Sequence, residues 1–277
     1  MYFCTMIFYF SATGNSRWAA QRLASATQEH LVDIAKMPAA LSPFYLKGNE
    51  RLGFVFPIHG WRPPSIVRKF IKELQITADA STTRPFTYAL CTAGDDIGTT
   101  MEEYLPATLI NNISLRHLGI TTIDSAYSLI MPNTYVGLPM MDVDSKAETQ
   151  KKLEAAEQQL HTICKEIVDR KRNIRRLHRG RWPWLNSHLL GAIFEHQLIT
   201  DGPFKVHPDL CVHCGVCAHV CPTGNINGGY GKMPIWQHNG SCLTCFSCYH
   251  HCSHHAIDYG SRTKGKGQYF YKPTHSL

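Results

Sequence analysis

The chain has 277 residues, 44% of them apolar, which suits one large domain or two smaller ones with a sizeable core. No apolar run approaches the roughly 20 residues that span a bilayer. The apolar start, Met1 to Phe10, lacks a basic flank and a small-residue cleavage site, so no signal peptide is expected. The net charge of +7 leaves three partner classes open: nucleic acid, an acidic lipid surface or an acidic protein.

Residues 3–10 form a nearly continuous apolar run, the pattern of a strand buried on both faces. It leads into Ser11-Ala12-Thr13-Gly14-Asn15-Ser16 and a helical stretch from Arg17 to Gln28. A strand, a short polar loop and a helix start make an anion site, because free N–H groups and hydroxyls converge there. Gly14 permits close approach or an unusual backbone angle. The loop is neither a dinucleotide fingerprint nor a Walker loop, so neither a dinucleotide nor ATP is favoured. An ordinary capped turn is the alternative reading.

Strands and helices then alternate. Leu31–Ala35 is expected as a short strand and Leu52–Ile58 as a buried one. Pro64–Leu74 reads as a helix with an apolar face, Phe86–Cys91 as a strand, and Ile97–Leu109 as a helix broken near Pro106. Leu115–Met131 reads as two extended pieces, and Lys146 to about Arg172 as one long amphipathic helix. Such alternation predicts an α/β fold with an open, doubly wound parallel sheet. Ligands then sit beyond the carboxyl ends of the strands. Three loops leave those ends: Ser11–Ser16, Pro57–Pro63 and Thr92–Gly98.

A phosphate loop, a loop with a large aromatic and a Gly/Asp-rich loop together resemble flavodoxin over about residues 1–170. The resemblance implies FMN, with its phosphate on Ser11, Ala12, Thr13, Gly14, Asn15 and Ser16. The flavin ring would lie between Pro57, His59, Gly60 and Trp61 on one side and Thr92, Ala93, Gly94, Asp95 and Asp96 on the other. Trp61 can stack on such a ring.

Residues 171–204 read as a basic and aromatic linker. The run from Arg170 to Arg181 is a solvated helix end or a docking patch for an acidic partner. Trp182, Trp184 and Leu189–Leu198 are expected to pack between the domains. Beyond the linker, eight of the eleven cysteines fall in two runs. Cys211, Cys214, Cys217 and Cys221 repeat the spacing of Cys242, Cys245, Cys248 and Cys252. A thiol every third residue aims three thiolates at one point, which suits a [4Fe–4S] cubane, and the fourth thiol reaches the other cluster. Cys211, Cys214, Cys217 and Cys252 are thus assigned to one cluster, and Cys242, Cys245, Cys248 and Cys221 to the second. Zinc knuckles and a disulfide framework fit this spacing and this signal-free chain poorly. The six histidines nearby are expected to be mostly exposed. Cys4, Cys91 and Cys164 read as small core residues.

Residues 205–260 resemble the bacterial two-cluster ferredoxins, with Ser253 where a second Cys-Pro is usual. Residues 261–277 form a basic, aromatic tail. The whole chain resembles the flavodoxin–ferredoxin fusion proteins of anaerobic bacteria and archaea. That resemblance implies an electron carrier that is cytoplasmic and meets redox protein partners. A flavin-dependent reductase fed by the clusters and an Fe–S redox sensor are the alternatives. Bound clusters and phosphate would cancel much of the positive charge, so nucleic acid is not expected.

Overall fold

The computed structural model describes residues 6–38, 43–47, 50–79 and 84–272. Cys4 and residues 273–277 of the tail lie outside the described residues. Six parallel strands form the central sheet: β1 (Met6–Tyr9), β2 (His30–Asp33), β3 (Arg51–Pro57), β4 (Phe86–Ala93), β5 (Ser125–Ile130) and β6 (Arg175–Arg176). Their spatial order is β2-β1-β3-β4-β5-β6. The order reverses between β1 and β3, which opens a crevice at the carboxyl ends of those two strands.

Alternate side chains of the strands feed two cores. Phe8, Phe54 and Cys91 face α2 (Ser65–Glu73) and α3 (Leu105–Ile110). Ile7, Val55 and Leu90 face α1 (Asn15–Thr27). Every residue of β4 is buried, as a central strand covered on both faces requires. At the other end of the sheet, Gly53 leaves room that a Cβ would lose to the Tyr88 ring. Glu29 pairs with Arg51 at 2.6 Å and also receives the Tyr88 hydroxyl.

Several expectations change. The stretch at Leu115 is helical, not extended: α4 spans Ile113–His117. Asn112 is the reason, since its Oδ1 accepts from Leu115 N at 2.7 Å as an N-cap. The long helix, α5, runs Lys146–Val168 and is capped at its start by Ser145. Arg170 and Asn173 then take positive φ and turn the chain back, so the sheet gains β6 beyond residue 170. Phe44–Leu46 and Ile76–Ala78 pair as a separate parallel ribbon that was not expected. Trp182 and Trp184 do not pack between domains; they are 59% and 61% exposed.

The C-terminal part is small. Phe204–Val206 pairs antiparallel with Ile257–Tyr259, and Ile226–Gly229 with Lys232–Trp236. Phe204, Trp236, Phe246, Tyr249, Ile257 and Tyr259 supply its core. The tail then returns to the first half: Tyr271 N donates to Thr13 O at 2.8 Å, and Tyr269 Oη to Asn15 Oδ1 at 3.0 Å.

Candidate functional site

The two cysteine runs share a backbone as well as a spacing. In the first, His213 and Gly215 flank the middle Cys214 with φ of 54° and 76°. In the second, Thr244 and Phe246 flank Cys245 with φ of 46° and 58°. Left-handed residues alternating with right-handed ones curl the chain around a point, which a thiol every third residue then faces. Positive φ on a β-branched threonine is a genuine outlier and marks a constrained site. Each turn runs into a four-residue helix, Val216–His219 or Ser247–His250, that carries the third thiol.

The eight thiols sort into two sets. Cys211, Cys214, Cys217 and Cys252 line one cavity of about 20 Å³. Cys221, Cys242, Cys245 and Cys248 line another of about 20 Å³. The fourth thiol of each run thus stands with the three leading thiols of the other. Four thiols ranged about a cavity suit an iron–sulfur cluster, whose irons take cysteine thiolates.

The two sets differ in surroundings. Burial pushes Cys242 up to about 11 and Cys245 up to about 12, and raises Cys248 well above its ordinary value. In the other set Cys217 is pushed up to about 11, again by burial, while Cys214 is exposed. Thiols held protonated this way release protons when iron binds, since the thiolate is the ligand. Backbone N–H groups already point at sulfur: Thr244 N to Cys242 Sγ and Ala256 N to Cys252 Sγ, both 3.3 Å.

The first half presents its crevice directly to the second set. Ser11, Ala12, Thr13, Asn15 and Ser16 line a cavity of about 80 Å³ with Pro57, His59, Thr92, Ala93 and Gly94. Cys245 completes the wall, as do Pro132, Asn133, Thr134 and Tyr135. These last four follow β5 and were missed. The strand-end rule that selected the other loops, carried on to β5, would have found them. Ser247 Oγ donates to Ala12 O at 2.9 Å, tying the helix of Cys248 to the polar loop. His250 Nε2 donates to Thr134 O at 2.7 Å while its Nδ1 accepts from Tyr269 N at 3.2 Å. His250 is therefore a buried structural link, not the exposed residue expected; burial holds its imidazole down at about 4. His251 is half-buried, and His219, His254 and His255 are exposed.

The remaining expected loop residues are drawn elsewhere. Tyr271 packs on Gly14 and Phe194 on Gly60. Trp61 O accepts from Thr100 Oγ1 at 2.7 Å and from Ser187 Oγ at 3.3 Å. Asp96 meets Gly180 and Asn186, and Asp95 turns back to accept from Asp96 N at 2.6 Å. A helical strap, residues 183–198, thus packs against the loops expected to hold a flavin ring. Cofactor pockets occupy about 300–1,000 Å³. The loop end fits an anion: Thr13 is 8% exposed and its hydroxyl has no partner among the described residues. At the ring end Phe194 stands on Gly60 and Asn186 on Asp96.

Residues 204–253 match the family model of the 4Fe-4S dicluster domain. That match covers the two cysteine runs. Among solved structures, a candidate flavoprotein from Bacteroides uniformis ATCC 8492 aligns at 19% identity and a TM-score of 0.30, over 45% of this chain and 88% of its own. Another from Bacteroides eggerthii DSM 20697 aligns at 17% identity and a TM-score of 0.29, over 55% of this chain and 96% of its own. No curated protein matches. The architecture is a flavodoxin-like α/β sheet followed by a small ferredoxin-type domain with antiparallel strands. Among the described residues no helix is long and apolar enough to cross a membrane.

Proposed function

We propose that this chain is an electron carrier with two [4Fe–4S] clusters. One would be held by Cys211, Cys214, Cys217 and Cys252. The other would be held by Cys242, Cys245, Cys248 and Cys221. The carrying observation is the sorting of eight thiols into two crossed sets, each about its own cavity. When bound, each cluster supplies one-electron storage at a potential tuned by burial and hydrogen bonds.

The chain gives the two sets different tasks. Phe204, Trp236 and Phe246 keep water from the second set, and Cys245 adjoins the crevice of the first half. The first set opens outward beside Val212 and Val216, which are 53% and 37% exposed, and faces a redox protein partner. The anion loop is assigned to the phosphate of FMN, with Ser11, Thr13, Asn15 and Ser16 as its donors. A flavin ring needs the strap to lift Phe194 from Gly60.

The test is anaerobic purification with iron, acid-labile sulfide and flavin analysis, followed by low-temperature electron paramagnetic resonance. Cys221→Ala and Cys245→Ala should alter one centre, and Cys252→Ala and Cys214→Ala the other. If Cys221→Ala and Cys214→Ala alter the same centre, the crossed assignment is wrong. Zinc without sulfide would end the carrier reading. Flavin released as FAD, or none at all, would end the FMN assignment alone.

A further inference from the structure

The strap that packs against the loops is amphipathic the wrong way round. Ser187, Gly191 and Phe194 face inward at helical spacing and are buried. Trp182, Trp184, Leu185, Leu189, Leu190 and Ile193 face outward, 39–61% exposed. The small inward residues seat the helix close on the loops, as the hydrogen bond from Thr99 N to Ser187 Oγ at 2.8 Å records. Large apolar side chains crowded on one exposed face within twelve residues are unlike the scattered apolar residues of an ordinary surface.

The segment that leads into this face and forms it is basic. Residues 170–194 contain seven Lys or Arg and no Asp or Glu. Of the carboxylates near the strap, Glu102 pairs with Arg179 at 2.6 Å, Glu103 with His188 at 2.5 Å and Glu195 with both Arg62 and Arg68, while Asp96 accepts from Asn186 and has no cation partner among the described residues. Asp124 is shared by Arg84 and Arg172, while Arg176 pairs with Glu166 at 2.6 Å and Lys171 with Asp169 at 3.9 Å. Arg175 donates only to backbone carbonyls. Arg181 lies over the Trp182 ring at 5.4 Å and has no carboxylate partner among the described residues.

We propose that the strap and the basic edge before it bind the surface of an anionic lipid bilayer. The face sets six half-exposed apolar side chains along one helical segment, with two indoles and Arg181 together at its start. That combination suits the headgroup boundary, where Trp rings sit between water and acyl chains and cations meet lipid phosphates. An acyl boundary accepts an exposed apolar face, whereas a protein partner would need a matching cleft. The inference concerns where the carrier works and does not depend on which cluster each thiol serves.

The test uses the anaerobically purified holoprotein and two vesicle preparations, phosphatidylcholine alone and phosphatidylcholine with phosphatidylglycerol. Co-sedimentation with the anionic vesicles, weakened by salt, is expected. Trp184→Glu with Leu189→Glu should lower that partitioning by about tenfold or more. The variant's iron content should be unchanged, because both side chains are more than half exposed and neither lines a thiol cavity. Arg181→Ala with Arg175→Ala should weaken binding only to the anionic vesicles. Failure of the native protein to bind anionic vesicles overturns the proposal. So does equal binding by the Glu variant. A salt-insensitive dimer that the Glu variant abolishes, without vesicle binding, would assign the face to a second copy of this chain and also overturn it.

Discussion

The two cysteine runs are the same device in two settings. Both use a pair of left-handed residues around the middle cysteine and a one-turn helix for the third. In the first run one of those left-handed positions is Gly215, which meets the hairpin backbone so closely that a Cβ would stand 2.6 Å from Gly229 C. In the second run the same position is Phe246, whose ring enters the core beside Phe204, Tyr259 and Tyr135. The strain of a left-handed Phe is offset by burying an aromatic ring. The comparison teaches that spacing places the thiols, while the residue at this one position decides whether a run lies against a hairpin backbone or sends a ring into the aromatic core.

Substitution at that position should break the symmetry hardest. Phe246→Ala removes a fully buried ring and should cost about 3–5 kcal/mol, read by denaturant unfolding of the holoprotein. Loss of the second centre should accompany it, with the first retained. If both centres survive with little loss of stability, the ring is not what docks the second run. Gly215→Ala should cost about 1–3 kcal/mol through strain at positive φ and the clash with Gly229. Its signature is loss of iron from the first centre only.

A carboxylate behind the second run gives a pH-dependent version of the comparison. Burial tends to raise the pKa of Asp201, but hydrogen bonds from Asn225 and His238 outweigh it and hold the carboxyl below its ordinary value. Because the folded value is depressed, this stabilisation is full above the ordinary carboxylate range. It is lost as pH falls through the folded value. Asp201→Asn should therefore cost about 1–3 kcal/mol near neutrality. The gap from the native chain should close in acid, as thermal melts across pH would show. A gap that persists at low pH would mean the carboxylate acts through shape alone. The smallest expected effect is Ser247→Ala, which removes the hydrogen bond to Ala12 O and should cost about 1 kcal/mol. Faster amide exchange across residues 11–16, with iron unchanged, is the measurement that checks it.

The sequence by itself determined the repeating elements and the chemistry. Continuous apolar runs at β1, β3 and β4 named a buried parallel sheet, because such strands have no polar face to keep. Thiols at every third residue named the cluster turns, because the requirement is local and written in spacing. Packing decided the rest. The repeated spacing already led to the crossed assignment of Cys221 and Cys252; what only the packing shows is which side chains wall each cavity and that Cys245 adjoins the crevice of the first half. The loops at Gly60, Trp61 and Asp96 read as open strand ends, and the tertiary structure packs residues 183–198 against them. A strand-end rule records where a crevice can form, whereas its filling depends on which later segment of chain can reach it. The strap reaches it on small inward residues, Ser187 and Gly191. Its large side chains therefore face outward, an orientation that a count of apolar residues along the sequence could not assign.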